Sequence, residues 1–266
     1  MSVEAIRMFR NRQNWKHVVL RYPALLTLGV VLVVWEAIIR MFGVPDYVAP
    51  APSVVGVELF LQIPLLATNM VPTVLEALGG FFIGNFSAIL LAIGMVRSHF
   101  VERCFYPIAV FIQSVPMLAI APILVLLFGT GYTPKVTIAA LICFFPTLVN
   151  MVRGLKSVNP QAYELMRILS ASNAEILLKL RLPSSLPFLF AALKVTAPSA
   201  MIGAIVGEWI GSRYGLGALI LEATYNFRAP LLYATILVAT SIAMAMFGLV
   251  GLVERRIVRW RPSEVY

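Results

Sequence analysis

This sequence is short of charge. Asp, Glu, Lys and Arg make up only 12% of its 266 residues, about half the share that coats an ordinary soluble domain. Hydrophobic residues reach 60% and the mean hydropathy is +0.90. There is chain enough for one or two soluble domains but too little charge to cover them, so an integral membrane protein with several spans is expected. Histidine is scarce, with His17 and His99 both near expected cytoplasmic ends of spans. Cys104 and Cys143 lie in or beside apolar runs without metal or redox spacing and read as inert core residues. No G-x-x-x-x-G-K-[ST], H-E-x-x-H or G-x-S-x-G pattern occurs; Gly154-Leu155-Lys156-Ser157 lacks the upstream glycine of a phosphate loop. These absences argue against a membrane protease, a metal-dependent enzyme and a chain that hydrolyses nucleotide alone. The apolar runs also carry no Asp/Glu/His relay of the kind a proton-driven carrier needs.

What is present is a series of apolar runs, at about 25–43, 72–96, 105–128, 135–152, 186–208 and 231–253. The expected fold class is an all-α integral membrane protein with about six transmembrane helices and a polar cytoplasmic loop between the fourth and fifth. The first run comes after a basic stretch (Arg7, Arg10, Arg12, Lys16, Arg21). A signal peptide is the competing reading, but the run is longer than an h-region and Pro52 would come next after the Ala49-Pro50-Ala51 cleavage site, so a retained span is expected. Glu36 and Arg40, four apart, neutralise each other near its far end. Residues 57–66 form a weak amphipathic patch, and Pro107, Pro116, Pro122, Gln113 and Ser114 interrupt the third run. Such a break is tolerated where protein or a watery cavity covers it. Gly80, Gly84, Ala88 and Ala92, and again Gly203, Gly207, Gly211 and Gly215, recur every fourth residue. These are faces where another helix can approach closely, expected within the subunit.

The net charge of +9 reflects topology. With six spans, sixteen Lys and Arg fall on one side, including Arg97, Arg103, Arg153, Lys156, Arg255 and Arg256. Four (Arg40, Lys135, Arg213, Arg228) fall on the other, and Lys194 lies inside the fifth run, from which it is expected to snorkel to the inner interface. The bias is a positive-inside signal and not a nucleic-acid footprint; it places both termini in the cytoplasm. The expected organisation is a basic segment over 1–21, a first span and outer loop over 22–70, a five-helix core over 71–254 that includes the loop 153–185, and a basic tail over 255–266.

That loop contains a polar, helix-patterned island, Asn159–Pro183. Asn159-Pro160 is a helix start, and Ala162, Leu165, Met166 and Leu169 form one apolar stripe. Ser172 with Glu175 makes a capping box for a second helix, Glu175 and Lys179 an i,i+4 pair, and Pro183 is expected to end that helix.

At this island the sequence resembles the permease subunits of bacterial ATP-binding-cassette importers. Their signature reads E-A-A, three residues, G, nine residues, then I-x-L-P. Glu164 takes the acidic position and Leu180-Arg181-Leu182-Pro183 the final four, with the spacing kept. Leu165-Met166 replace the two alanines, Leu180 the isoleucine and Ser170 the glycine, at a position where glycine would permit a left-handed backbone or a close approach. QSVPMLAIAPILVLLFGTG (113–131), FFPTLVNMVRGL (144–155), LPFLFAALKV (186–195) and IVGEWIGSRYGLGALI (205–220) are similar to the nitrate, taurine, sulfonate and thiamine-precursor branch.

The resemblance implies a permease subunit of a binding-protein-dependent importer in the bacterial inner membrane. A coupling helix at 162–172 would dock on a separate cytoplasmic ATPase through Ala162, Glu164, Leu165, Arg167, Ile168, Ser170, Ala171 and Ser172. ATP and Mg would be bound by that partner, with no cofactor in this chain. It also implies a second permease copy, most simply a homodimer, and a periplasmic or lipid-anchored substrate-binding protein. Gln113, Ser114, Ser199, Met201 and Glu208 are the candidate lining of the translocation path. The alternative is a stand-alone channel or secondary transporter, which an internal repeat or buried charge relay would favour.

Overall fold

The computed structural model describes residues 23–259; the basic segment 1–21 and the last seven residues of the tail lie outside them. Among the described residues every regular element is helical. In chain order they are α1 (Pro23–Met41), α2 (Pro52–Leu61), α3 (Ile63–Arg97), α4 (His99–Ser114), α5 (Met117–Phe128), α6 (Tyr132–Lys156), α7 (Pro160–Ile168), α8 (Asn173–Ile176), a π-helical turn (Leu177–Arg181), α9 (Leu182–Glu208), α10 (Leu216–Tyr225) and α11 (Ala229–Ile257).

Three long helices, α3, α6 and α9, make the centre, and small residues let them touch. A Cβ added at Gly80 would lie 2.3 Å from Ala139 Cβ, and one at Gly84 2.3 Å from the Ala140 carbonyl oxygen. From the other side, a Cβ at Gly203 would lie 2.6 Å from Ala139 Cα and one at Gly207 2.9 Å from Lys135 Cα. Both glycine stripes therefore receive α6, so close packing is within the subunit, as van der Waals contact between membrane helices requires. A buried polar node locks the trio: Thr147 Oγ1 donates to Asn85 Oδ1 (2.5 Å), Thr196 Oγ1 donates to the same atom (3.2 Å), and Asn85 Nδ2 donates to the Phe81 carbonyl (2.6 Å). Cys143 is enclosed here beside the Thr196 carbonyl. Cys104, expected in the core, is instead exposed on α4, because that helix turns a face that nothing among the described residues covers.

Among the described residues four helices are long and apolar enough to cross a membrane, α3, α6, α8 through α9, and α11. The pair α4–α5, bent by 103° at a break around Val115-Pro116, makes up to five if it counts as one span. The six expected are not matched in number; α1 occupies the place of the expected first span. Its Glu36 pairs with Arg40 (2.5 Å) and also accepts from the Ser53 backbone N–H (3.0 Å) and hydroxyl (2.8 Å), which fastens α1 to the start of α2. Trp35 packs against Tyr233 of α11 with ring centroids 5.7 Å apart.

Two prolines behave differently from expectation. Pro72 sits inside α3, which starts at Ile63 instead of near residue 72; membrane helices tolerate such breaks in their ladder. Pro183 does not end a helix. The π turn before it lets Leu182 N–H reach the Leu177 carbonyl, and Ser184 Oγ donates to the Leu180 carbonyl (2.8 Å). The wider turn takes up the gap that the missing N–H leaves in the ladder, and the chain runs on as one rod from Asn173 to Glu208.

Candidate functional site: an exposed hairpin and a buried polar cluster

The Asn159–Arg181 hairpin is built from its caps. Asn159 Oδ1 accepts from Gln161 N–H (2.8 Å) with Pro160 next in line, and α7 runs only to Ile168. Ser170 then takes φ +58, so the left-handed backbone that glycine favours is present here with a serine. Ala171 N–H returns to the Met166 carbonyl (2.9 Å), closing the turn. The capping box forms as expected: Glu175 N–H donates to Ser172 Oγ (3.2 Å), Ser172 N–H donates to Glu175 Oε2 (3.0 Å), and Lys179 pairs with Glu175 (3.0 Å).

α7 buries none of its residues. Leu165, Ile168 and Leu169 are 57%, 78% and 68% exposed, while Ala162, Tyr163 and Met166 rest half-buried toward the bundle. Exposed Glu164 has no partner among the described residues, and Arg167 makes one long hydrogen bond to Asn173 Oδ1 (3.4 Å). The hairpin brings all eight residues of the expected coupling set together; Ala171 is half-buried and Ser170 and Ser172 are exposed at the turn.

The expected path residues do not form one group. Gln113 and Ser114 are exposed at the α4–α5 break. Ser199 is half-buried, its hydroxyl bonded to the Val195 carbonyl (2.8 Å), between exposed Val195 and Ile202. Met201 lies in the core with Ala77 and Phe81. Glu208 is 1% exposed, enclosed at the end of the bundle farthest from the hairpin. Lys194 forms an ion pair with Glu254 of α11.

At that far end is a polar cluster not expected from the sequence. Glu208 Oε2 accepts from Gly217 N–H (2.6 Å), and its Oε1 accepts from Thr73 Oγ1 (2.6 Å). Thr73 in turn accepts from Leu216 N–H (2.8 Å), and Asn69 Oδ1 accepts from Gly215 N–H (2.9 Å). The carboxylate thus sits on the N-terminus of α10, whose free N–H groups and dipole favour an anion. Gly215 has φ +123, and a Cβ there would lie 2.0 Å from Glu208 Oε1, so glycine is required. Beside it, Lys135 Nζ donates to Glu76 Oε1 (3.0 Å) and to Ser212 Oγ (2.8 Å), a buried ion pair. Glu76 Oε2 has no hydrogen-bond partner among the described residues. The signal was available: Asn69, Thr73 and Glu76, at i, i+4 and i+7, place three polar groups on one face of an apolar helix.

Residues 80–259 match the family described as binding-protein-dependent transport system inner membrane component. The chain is 34% identical to the riboflavin transport system permease protein of Chloroflexus aurantiacus, over 91% of this chain and 92% of that one. It is equally 34% identical to the formylaminopyrimidine transport permease protein of Halalkalibacterium halodurans, over 91% and 96%. Among solved structures, the inward-facing MetNI methionine ABC transporter superposes with a TM-score of 0.60 at 18% identity, covering 74% of this chain and 96% of that one. An amino acid ABC transporter gives 0.61 at 19% identity, covering 75% and 97%; both likenesses concern the fold. With a helical core and this match across two-thirds of its length, the chain belongs to the inner membrane permease subunits of binding-protein-dependent ATP-binding-cassette importers.

Proposed function

We propose that this permease couples to a separate ATPase through α7 and the turn after it. The observation that carries the reading is the exposed apolar patch of Leu165, Ile168 and Leu169, edged by Glu164 and Arg167, which have no ion-pair partner among the described residues. A nine-residue helix that buries nothing in its own chain is suited to a groove on another protein. ATP and Mg belong to that ATPase. The positive-inside bias orients the hairpin and both termini toward the cytoplasm. The uncovered apolar face of α4–α5, where Phe111 and Leu126 are 71% and 87% exposed, suits a second copy of this chain, with the path between the two. Gln113, Ser114 and Ser199 are the residues best placed to face it; Met201 and Glu208 act from behind.

A binding protein delivers the solute. The relatives named for riboflavin and formylaminopyrimidine transport favour a small nitrogen heterocycle as cargo. The buried Glu76–Lys135 pair is a feature that a secondary transporter would also use, but the family match over residues 80–259 favours the permease.

The test is Glu164→Lys in the reconstituted importer. The variant is expected to insert and melt like the parent while solute transport falls at least tenfold and ATP hydrolysis no longer responds to the binding protein. Normal transport by Glu164→Lys together with normal transport by Ile168→Asp would overturn the α7 assignment.

A further inference from the structure

Where α3 ends, a cleft of about 150 Å³ opens between its last turn, α7 and the π turn. Its floor is apolar (Ile176, Leu177), and its polar lining is Arg97, Arg181, Tyr163 and Asn173. Arg97 and Arg181 both line the cleft, and among the described residues no carboxylate does. Arg97 has no hydrogen bond or ion pair among the described residues. Arg181 has no acidic partner either; its guanidinium carbon lies 5.6 Å from the Tyr163 ring centroid, so stacking holds the half-buried side chain in place without neutralising it. The nearest acid on the second arm, Glu175, is already taken by Lys179 and the Ser172 cap. The π turn matters to this arrangement. One extra residue in a turn rotates the downstream helix by about 100°, and it is this turn that ends on Arg181.

We propose that this cleft is a phosphate-binding site, taking a phosphate mono- or diester between Arg97 and Arg181. Each guanidinium offers a planar fork of donors that matches phosphate oxygens two at a time, Asn173 adds an amide, and the cleft volume suits a single phosphate group and little more. The phosphate has two possible sources, an anionic lipid headgroup at the hairpin-side interface, where basic residues meet the negative leaflet, or a soluble phosphate. An occupant would bridge the end of α3 to both arms of the hairpin and hold the hairpin at a fixed angle to the bundle. The site rests on this geometry and not on the assignment of α7 to ATPase docking.

The experiment uses the full-length chain in nanodiscs. In phosphatidylcholine discs, inorganic phosphate is titrated and monitored by phosphorus NMR line width. In mixed discs, phosphatidylglycerol retained on the chain is read by native mass spectrometry. The variants are Arg97→Gln, Arg181→Gln and the pair, with exposed Arg255→Gln as a control outside the cleft. A site for soluble phosphate broadens the phosphate line in the parent, and the paired variant weakens binding at least tenfold. A headgroup site retains phosphatidylglycerol over phosphatidylcholine at least tenfold in the parent and loses that preference in the pair. In either arm Arg255→Gln matches the parent. If the pair does not fold, Arg97→Gln, at an exposed residue, carries the test with a several-fold loss. The proposal is overturned if the parent shows neither effect, or if variants and control behave alike.

Discussion

At the far end of the bundle Glu208, Thr73, Asn69, Lys135 and Ser212 bond one another or the chain leading into α10. On α7, by contrast, Glu164 has no partner among the described residues, and Leu165, Ile168 and Leu169 touch little of their own chain. Both regions carry charged side chains, yet those of one are paired inside the subunit and those of the other are left open. A polar group in the bundle is driven to find a partner within the protein, because leaving it unpaired away from water costs several kcal/mol; Glu76 Oε2 is the exception among the described residues. A hairpin in water has no such obligation, so its side chains remain free to meet another protein.

Substitutions that break this contrast rank by their effect on stability. Lys135→Met leaves Glu76 buried without its cation, and loss of one member of a buried pair costs about 3–5 kcal/mol; the purified chain is expected to melt on the order of 10 °C lower. Gly215→Ala forces a side chain into φ +123 and against Glu208 Oε1. Strain of this kind costs about 1–3 kcal/mol, and a melting curve with normal secondary structure before the transition checks it. Ser170→Gly works in the opposite direction: it relieves a non-glycine residue at φ +58 and is expected to raise stability by up to about 1 kcal/mol, read as a higher melting temperature. Ile168→Asp should leave stability within about 0.5 kcal/mol of the parent, as exposed substitutions do, while co-purification with the ATPase falls at least tenfold. If Ile168→Asp destabilises the chain as Lys135→Met does, α7 is part of the subunit's own core and the contrast fails.

The contrast also separates what could be read in the sequence from what could not. Local patterns were legible: Asn159-Pro160, the Ser172–Glu175 box, and the glycine repeats at 80–84 and 203–207 all do what their spacing requires. Pairings distant along the chain were not. Glu76 and Lys135 are 59 residues apart, and Thr73 and Glu208 are 135 apart; nothing local states that a lysine counted as an outer charge is buried against α3. The ten residues of α10 were missed because they are too short for a span and their start depends on Glu208 for its anion. Pro183 misled because the rule that proline stops a helix assumes an α-helical turn before it, and this turn is wider.

The unbroken run from Asn173 to Glu208 has a mechanical consequence. Thirty-six residues at 1.5 Å each make a strut of about 54 Å, with the hairpin at its foot and the anchored Glu208 at its head. Pivoting such a strut by about 5° at its foot sweeps the head through roughly 5 Å. Asn85, Thr147 and Thr196 pin it to α3 and α6 partway up, so the three would swing together, and a small rotation at the hairpin end would become a sweep of several ångströms at the other end of the bundle.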